Sequence, residues 1–341
     1  MLHFDCDYME GAHPEVMRRL LETNLEQTPG YGCDSHTERA RKLIRQACDA
    51  PQAEIHLLVG GTQTNATVID GLLRRHEGVL SAASGHINVH EAGAIEASGH
   101  KVLTLPSYDG KVRASEVEAF IDGFYRDETW PHMVAPGMLY ISHPTEFGTL
   151  YSLDEMEALH AVCQRHGIPL YLDGARLGYG LAADGNTLSL PDIARLCEVF
   201  YIGGTKVGTL FGEAVVIPRP ELLPHFFTLV KQHGALLAKG RLLGIQFETL
   251  FTDGLYRQIA RQAIRTAMKL KKALLAKGYR CYIDSPTNQQ FFVLPNREID
   301  RLSQYATFEL WGARGEEESV VRFVTSWATT DEQIDALIAR L

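Results

Sequence analysis

Five polar groups in this sequence each directly follow a short apolar run. They are Gly60-Gly61-Thr62, Ser84-Gly85-His86, His143, Asp173-Gly174-Ala175-Arg176 and Gly204-Thr205-Lys206. In Gly60-Gly61-Thr62-Gln63-Thr64-Asn65 an apolar run ends in two glycines and a hydroxyl residue, and an amphipathic stretch follows. Backbone N–H groups at a helix N-terminus make an anion site there, and glycine lets the anion come close. The spacing is neither G-x-x-x-x-G-K-[ST] nor G-x-G-x-x-G, so a single phosphate is expected rather than a nucleoside triphosphate. Asp173 closes another apolar run, where a carboxylate is costly unless paired. A protonated ring nitrogen of a cofactor would pair with it. Lys206 follows a third apolar run and stands among glycines. Held deep and partly desolvated, its amine would lose basicity and could form a Schiff base. Each piece also has a plain structural counterpart: a glycine-rich turn, an aspartate capping the next helix, a lysine on a surface turn.

The elements that must position these residues alternate in type. Strands are expected at 54–60, 79–82, 101–105, 138–142, 168–173, 198–204 and 213–217. Most are short and continuously apolar, the pattern of strands covered on both faces. Strands alternating with helices predict a mostly parallel sheet of α/β class, with its site beyond the carboxyl ends of the strands. Capping boxes are expected at Ser35–Glu38, Ser115–Glu118, Ser152–Glu155 and Thr330–Gln333. The helix from Leu153 should stop at Gly167, with Pro169 just beyond. After Pro218-Arg219-Pro220 the texture changes to a long helical stretch over about 221–277, then strands and a last helix on 331–341. The reading divides the chain into an N-terminal segment (1–13) that reaches the site, a large domain (14–234) and a smaller C-terminal α+β domain (235–341). A long helix near 240–277 links the last two.

A phosphate loop, then an aspartate at a strand end, then a lysine after a later strand describes a fold-type-I pyridoxal 5'-phosphate (PLP) site. The phosphate would sit on Gly61 and Thr62, Asp173 would hold the pyridine nitrogen protonated, and Lys206 would carry the aldehyde. Thr205 would add a hydroxyl near the phosphate.

The chain resembles the low-specificity L-threonine aldolases of the β-eliminating lyase group along nearly its whole length. The resemblance rests on FDCDYMEGAHPEVMRRL (4–20), YGCD (31–34), GGTQTN (60–65), GHINVHEAGAIEASG (85–99), HPTEFGTLYSLDEMEAL (143–159), YLDGAR (171–176), GGTK (203–206) and VRFVT (321–325). It implies aldol cleavage of a β-hydroxy-α-amino acid to glycine and an aldehyde. His86 would stack on the pyridine ring. His143 would lie near the substrate's β-hydroxyl, with His143 or His86 as the base. Arg176 and Arg322 would hold the substrate carboxylate, and Arg176 would also face the cofactor. Tyr31 would enter from a neighbouring subunit, in a homo-oligomer built as a dimer of dimers. Lys239 or Arg241 would reach the phosphate. Three positions depart from the usual pattern. Cys6 stands where a serine often helps bind the carboxylate, GGTK replaces a serine-lysine-glycine loop, and ISHPTEFG replaces a Glu-Asn-x-His strand end. A different PLP reaction, β-elimination at C–S or amino transfer, remains the alternative, because the site rather than the fold decides the reaction.

Composition agrees with a small amino-acid substrate. The 341 residues carry a formal charge of −9, without the basic face a nucleic-acid partner demands. No apolar stretch is long enough to span a membrane. His86 and His90 are four apart, but the pattern is not H-E-x-x-H and no metal is expected. The six cysteines form no C-x-x-C pair and the first residues lack a secretory pattern, so a reducing, cytoplasmic setting is expected.

Overall fold

The computed structural model describes residues 1–341. Strands are β1 (Leu2–His3), β2 (Glu54–Leu58), β3 (Glu77–Ala82), β4 (Val102–Leu105), β5 (Ala135–Ser142), β6 (Leu170–Asp173), β7 (Val199–Gly203), β8 (Glu213–Ile217), β9 (Arg280–Ile283), β10 (Gln289–Pro295), β11 (Ala306–Thr307), β12 (Glu309–Leu310) and β13 (Glu318–Val324). A seven-stranded sheet has the order β2-β8-β7-β6-β5-β3-β4. Strands β3 to β7 pair in parallel, and β8 runs antiparallel to both β2 and β7. Every residue of β6, β7 and β8 is buried, because helices cover both faces.

This topology brings the polar groups together. β2, β3, β5, β6 and β7 all point their carboxyl ends at one edge of the sheet, and Ser142 on β5 stands beside Asp173 on β6. The lone antiparallel strand β8 begins at that same edge, where Glu213 pairs with Leu58 and Gly203.

The second unit is a four-stranded antiparallel sheet, β12-β13-β10-β9. The N-terminal strand lies in a separate two-stranded sheet of this unit, with β1 parallel to β11. Phe4 packs there among Leu270, Phe292, Phe323 and Leu337. Residues 5–10 then run from this second core toward the edge of the large sheet.

Local signals succeed where side chain and backbone have no competitor. The capping boxes at Ser152 and Thr330 form as expected, and Gly167 ends its helix in the left-handed region at φ 64°. Two others do not form. Asp34 caps Ser35–Ala47 instead of Ser35, because its carboxylate accepts from both Thr37 N (2.8 Å) and Thr37 Oγ1 (2.7 Å). The helix expected to be capped by Ser115 starts at Ala114, after an extended Arg113 with no side-chain cap. The long helical stretch is three helices, Phe226–Gln232, Arg241–Phe251 and Leu255–Ala276. Gly234 (φ 67°) and Gly254 (φ 70°) break it in the left-handed region that glycine enters at little cost.

Gly174 is the tightest point beneath the site. A Cβ there would lie 1.9 Å from the Tyr201 carbonyl oxygen, and the Gly174 carbonyl accepts from Gly203 N at 2.9 Å. Gly174→Ala must therefore push β7 away from the turn after β6. The expected loss is about 1–3 kcal/mol or more, the range for overpacked cores. A urea-unfolding midpoint equal to that of the parent protein would contradict this account of the turn.

Candidate active site

The helix Gly61–Leu72 begins at the sheet edge with Gly60 as its N-cap and no side chain capping it. Its first N–H groups, at the positive end of the helix dipole, are therefore left for an anion. Gly61 and Thr62 line a cavity of about 100 Å³ together with His86, Asp173, Arg176 and Lys206.

Asp173 is almost fully buried, yet four donors satisfy it. Oδ2 accepts from Tyr140 Oη (2.6 Å) and Asn65 Nδ2 (3.0 Å), and Oδ1 from Tyr201 Oη (2.5 Å) and Ala175 N (3.0 Å). Burial alone would raise its pKa. His86 nearby, the two tyrosine hydroxyls and the Asn65 amide outweigh it and hold the carboxyl below its ordinary value. A permanent carboxylate suits a protonated ring nitrogen.

Lys206 has the opposite problem. Burial, then the Arg176 guanidinium, lower the pKa of its amine, against the pull of Asp7, Glu213 and Asp173. Its main chain is pinned by Tyr179 Oη, which donates to Lys206 O (2.5 Å). Behind the lysine, Glu213 accepts from Gly204 N (3.0 Å), and burial pushes its carboxyl up to about 7.

His86 is held by a chain of buried groups. Its Nδ1–H donates to Glu91 Oε1 (2.7 Å), which also accepts from Asn65 Nδ2 (2.7 Å). The pairing fixes the tautomer and leaves Nε2 as the free nitrogen. The His86 main-chain N–H donates to Glu146 Oε1 (2.9 Å), which also accepts from Ser142 Oγ (2.6 Å).

A second cavity of about 330 Å³ shares His86, Glu146, Arg176 and Lys206 with the first and adds Tyr8, His90, Glu309, Trp311 and Arg322. Arg176 forms a two-pronged ion pair with the buried Asp7, Nε to Oδ2 (2.8 Å) and Nη2 to Oδ1 (2.9 Å). Asn288 Nδ2 completes Asp7 at 2.9 Å. Arg322 pairs with Glu309 and donates to Gln289 Oε1 (2.8 Å), while its buried Nε has no partner.

Of the residues expected at the site, the fold gathers Gly61, Thr62, His86, Asp173, Arg176, Lys206 and Arg322 around these two cavities. It does not gather His143. Strand β5 alternates faces, so Tyr140 and Ser142 turn toward Asp173 and His143 turns away. The His143 Nδ1 accepts from Tyr151 N (3.3 Å), its Nε2 is buried without a partner, and burial, then Lys111, lower its pKa to about 4. Thr205 also turns aside, with Oγ1 accepting from Gly212 N (3.0 Å). Cys6 is half-buried next to the second cavity without lining it, whereas Tyr8 does line it.

Tyr31, Lys239 and Arg241 lie together, away from both cavities. Tyr31 N donates to Ala238 O (3.1 Å), and Gly240 packs against Gly32. Tyr31 is 44% exposed and Lys239 is exposed, whereas Arg241 is spent on the carbonyls of Thr23 (2.8 Å) and Asn24 (2.9 Å). Sequence reasoning missed Asp7, Tyr8, Asn65, Glu91, Tyr140, Glu146 and Tyr201. Asn65 and Glu91 do stand inside the GGTQTN and GHINVHEAG motifs.

An uncapped helix terminus, a carboxylate held anionic and an amine made less basic are the donor set PLP requires, and the residues present fit it. Sheet, second unit and site together define a fold-type-I PLP-dependent enzyme. A family profile described as beta-eliminating lyase matches residues 4–292, and the chain belongs to that family of PLP-dependent lyases. It is 28% identical to a low specificity L-threonine aldolase of Pseudomonas sp. (strain NCIMB 10558), over 98% of this chain and 96% of that one. It is 27% identical to the protein of the same name from Pseudomonas aeruginosa, over 98% and 95%. Among solved structures, a threonine aldolase of Leishmania major matches with TM-score 0.96 and 41% identity, over 99% of this chain and 98% of that one. An aspartate aminotransferase of Thermus thermophilus, at TM-score 0.71 and 16% identity over 100% and 90%, shares the fold alone.

The Asp7–Arg176 pair makes a measurable demand. Asp7→Ala leaves a buried guanidinium unpaired, which costs about 3–5 kcal/mol. Chemical unfolding should show that loss, and amide exchange should show residues 5–10 opening first. Full stability in the variant would mean that the pair does not anchor the segment.

Proposed function

We propose that this enzyme cleaves β-hydroxy-α-amino acids of the L-threonine or L-allo-threonine type to glycine and an aldehyde. The observation that supports this most is the whole-length likeness to the Leishmania major threonine aldolase, combined with a lysine, a buried aspartate and an open helix terminus in one cavity. Amino transfer has weaker support, since the aminotransferase likeness extends to the fold alone.

In this reading Gly61 and Thr62 hold the phosphate, Asp173 the pyridine nitrogen, and the His86 ring lies against the cofactor, kept in place by Glu91. Lys206 Nζ, made less basic by burial, is available as the neutral amine that bonds the cofactor's aldehyde carbon. Bound PLP supplies an electron sink for the pair of electrons from the broken Cα–Cβ bond. Arg176 keeps Nη1 beyond its pair with Asp7, and the Arg322 side chain borders the larger cavity. Both lie beside Lys206 in the larger cavity and orient the substrate carboxylate. Cleavage also needs a base at the β-oxygen. With His143 turned away, that base comes from the groups lining the cavities.

The exposed Tyr31 and Lys239 belong, in this reading, to the site of a neighbouring subunit in a homotetramer. Lys239 rather than Arg241 reaches the neighbour's phosphate, because Arg241 is already engaged. Six free thiols suit a cytoplasmic setting.

With L-threonine, the holoenzyme should release glycine and acetaldehyde. Lys206→Ala should abolish turnover and the visible absorbance of covalently held cofactor; a keto acid with ammonia as products would overturn the reading. Lys239→Ala should weaken PLP affinity about 10- to 100-fold, the worth of one charge-assisted hydrogen bond. Arg241→Ala should leave PLP affinity near that of the parent, and the reverse pattern in a cofactor titration would exchange the two roles.

A further inference from the structure

The geometry points to Glu146 as the catalytic residue that takes the proton from the substrate's β-hydroxyl; this deepens the aldol-cleavage reading and rests on it. Glu146 lines both cavities, the one fitted to the cofactor and the one edged by Arg322. It therefore borders both the space fitted to the cofactor and the space edged by Arg322, where the substrate's carboxylate is placed in this reading. One oxygen, Oε1, is held by two donors, Ser142 Oγ and His86 N. These fix the carboxyl in place and leave Oε2 to the cavity.

The other acids nearby are already engaged. Asp173 accepts four hydrogen bonds and Asp7 is closed by Arg176 and Asn288. Glu309 is paired with Arg322, and Glu213 lies behind the lysine on Gly204 N. The imidazole alternative is weaker on the same grounds. His143 is turned away, His86 is held through Nδ1 by Glu91 with its ring placed against the cofactor in this reading, and His90 lines only the larger cavity. Burial raises the Glu146 pKa above the ordinary carboxylate value, which makes it a stronger base than a surface glutamate. Glu146 lies three residues beyond His143, on the turn after β5.

The step balances. The O–H proton moves to Glu146 Oε2, the C–O bond becomes a carbonyl, and the Cα–Cβ bond breaks. Its electron pair is left at Cα, where PLP, when bound, would act as the electron sink. A proton from water then adds at Cα to complete glycine, and Glu146 returns its own proton to water as the aldehyde leaves, so no net proton is gained or lost.

The test compares two reactions of the PLP-loaded protein. Cleavage of L-threonine needs a base at the β-oxygen, whereas exchange of the glycine α-proton in heavy water does not. Glu146→Gln should lower kcat for cleavage about 10²–10⁴-fold, with KM and glycine exchange within about threefold of the parent. Glu146→Asp should recover part of kcat. The unfolding midpoint of the unloaded protein and its PLP affinity should stay close to those of the parent. Cleavage by Glu146→Gln within about threefold of the parent would overturn the assignment. So would an equal fall of cleavage and exchange, which would make Glu146 only a support for Ser142 and His86. If the parent exchanges glycine but releases no aldehyde from β-hydroxy amino acids, the aldol reading itself fails, and the variant is not needed to show it.

Discussion

A carboxylate buried at the end of a parallel strand has to be satisfied, and much of the site follows from how Asp173 is satisfied. Its four donors come from four places: β5 through Tyr140, β7 through Tyr201, the helix after β2 through Asn65, and its own turn through Ala175. Two of the donors make further hydrogen bonds, Tyr140 Oη with Ser142 Oγ and Asn65 Oδ1 with Tyr171 Oη. Asn65 also donates to Glu91, and Glu91 holds His86. The helix after β2, His86 and the aspartate are thus parts of one buried polar network. In a low-dielectric interior such a network is rigid when complete and costly when broken.

A second buried carboxylate ties the two units of the chain together. Asp7 follows a strand that belongs to the C-terminal core, yet it pairs with Arg176 from the large sheet and accepts from Asn288 ahead of β10. Three distant parts of the sequence meet at one ion pair. This is why the N-terminal segment reaches the larger cavity, with Tyr8 next to Lys206. Arg176 is held in this pair through Nε and Nη2, which leaves Nη1 over on the side chain that lines the cavity.

The paired arrangement also accounts for the charge balance around Lys206. Arg176 depresses its amine while Asp7, Glu213 and Asp173 oppose. The amine keeps company with charges of both signs, so it is neither locked in an ion pair nor left in an apolar void.

Much of the chemistry was legible in local sequence. Lys206, Asp173 and the Gly61-Thr62 turn were recognisable because each interrupts an apolar run, and parallel strands place their carboxyl ends on one edge. The caps at Ser152 and Thr330 and the stop at Gly167 were legible for the same reason, since the groups involved are neighbours in the chain. What failed at the level of elements turned on local competitors that the pattern does not rank. Asp34 displaced Ser35 as a cap, and three helices replaced one. Strand parity at β5 turned His143 into the core and left Glu146 on the following turn to face the cavities. Sequence alone determined the class of enzyme and its cofactor, because those depend on residue type at strand ends. Only the tertiary structure decided which way each side chain points, which acids are already paired and that Asp7 joins the two units. Those outcomes depend on hydrogen bonds and ion pairs between residues scores to hundreds of positions apart, which no local pattern records.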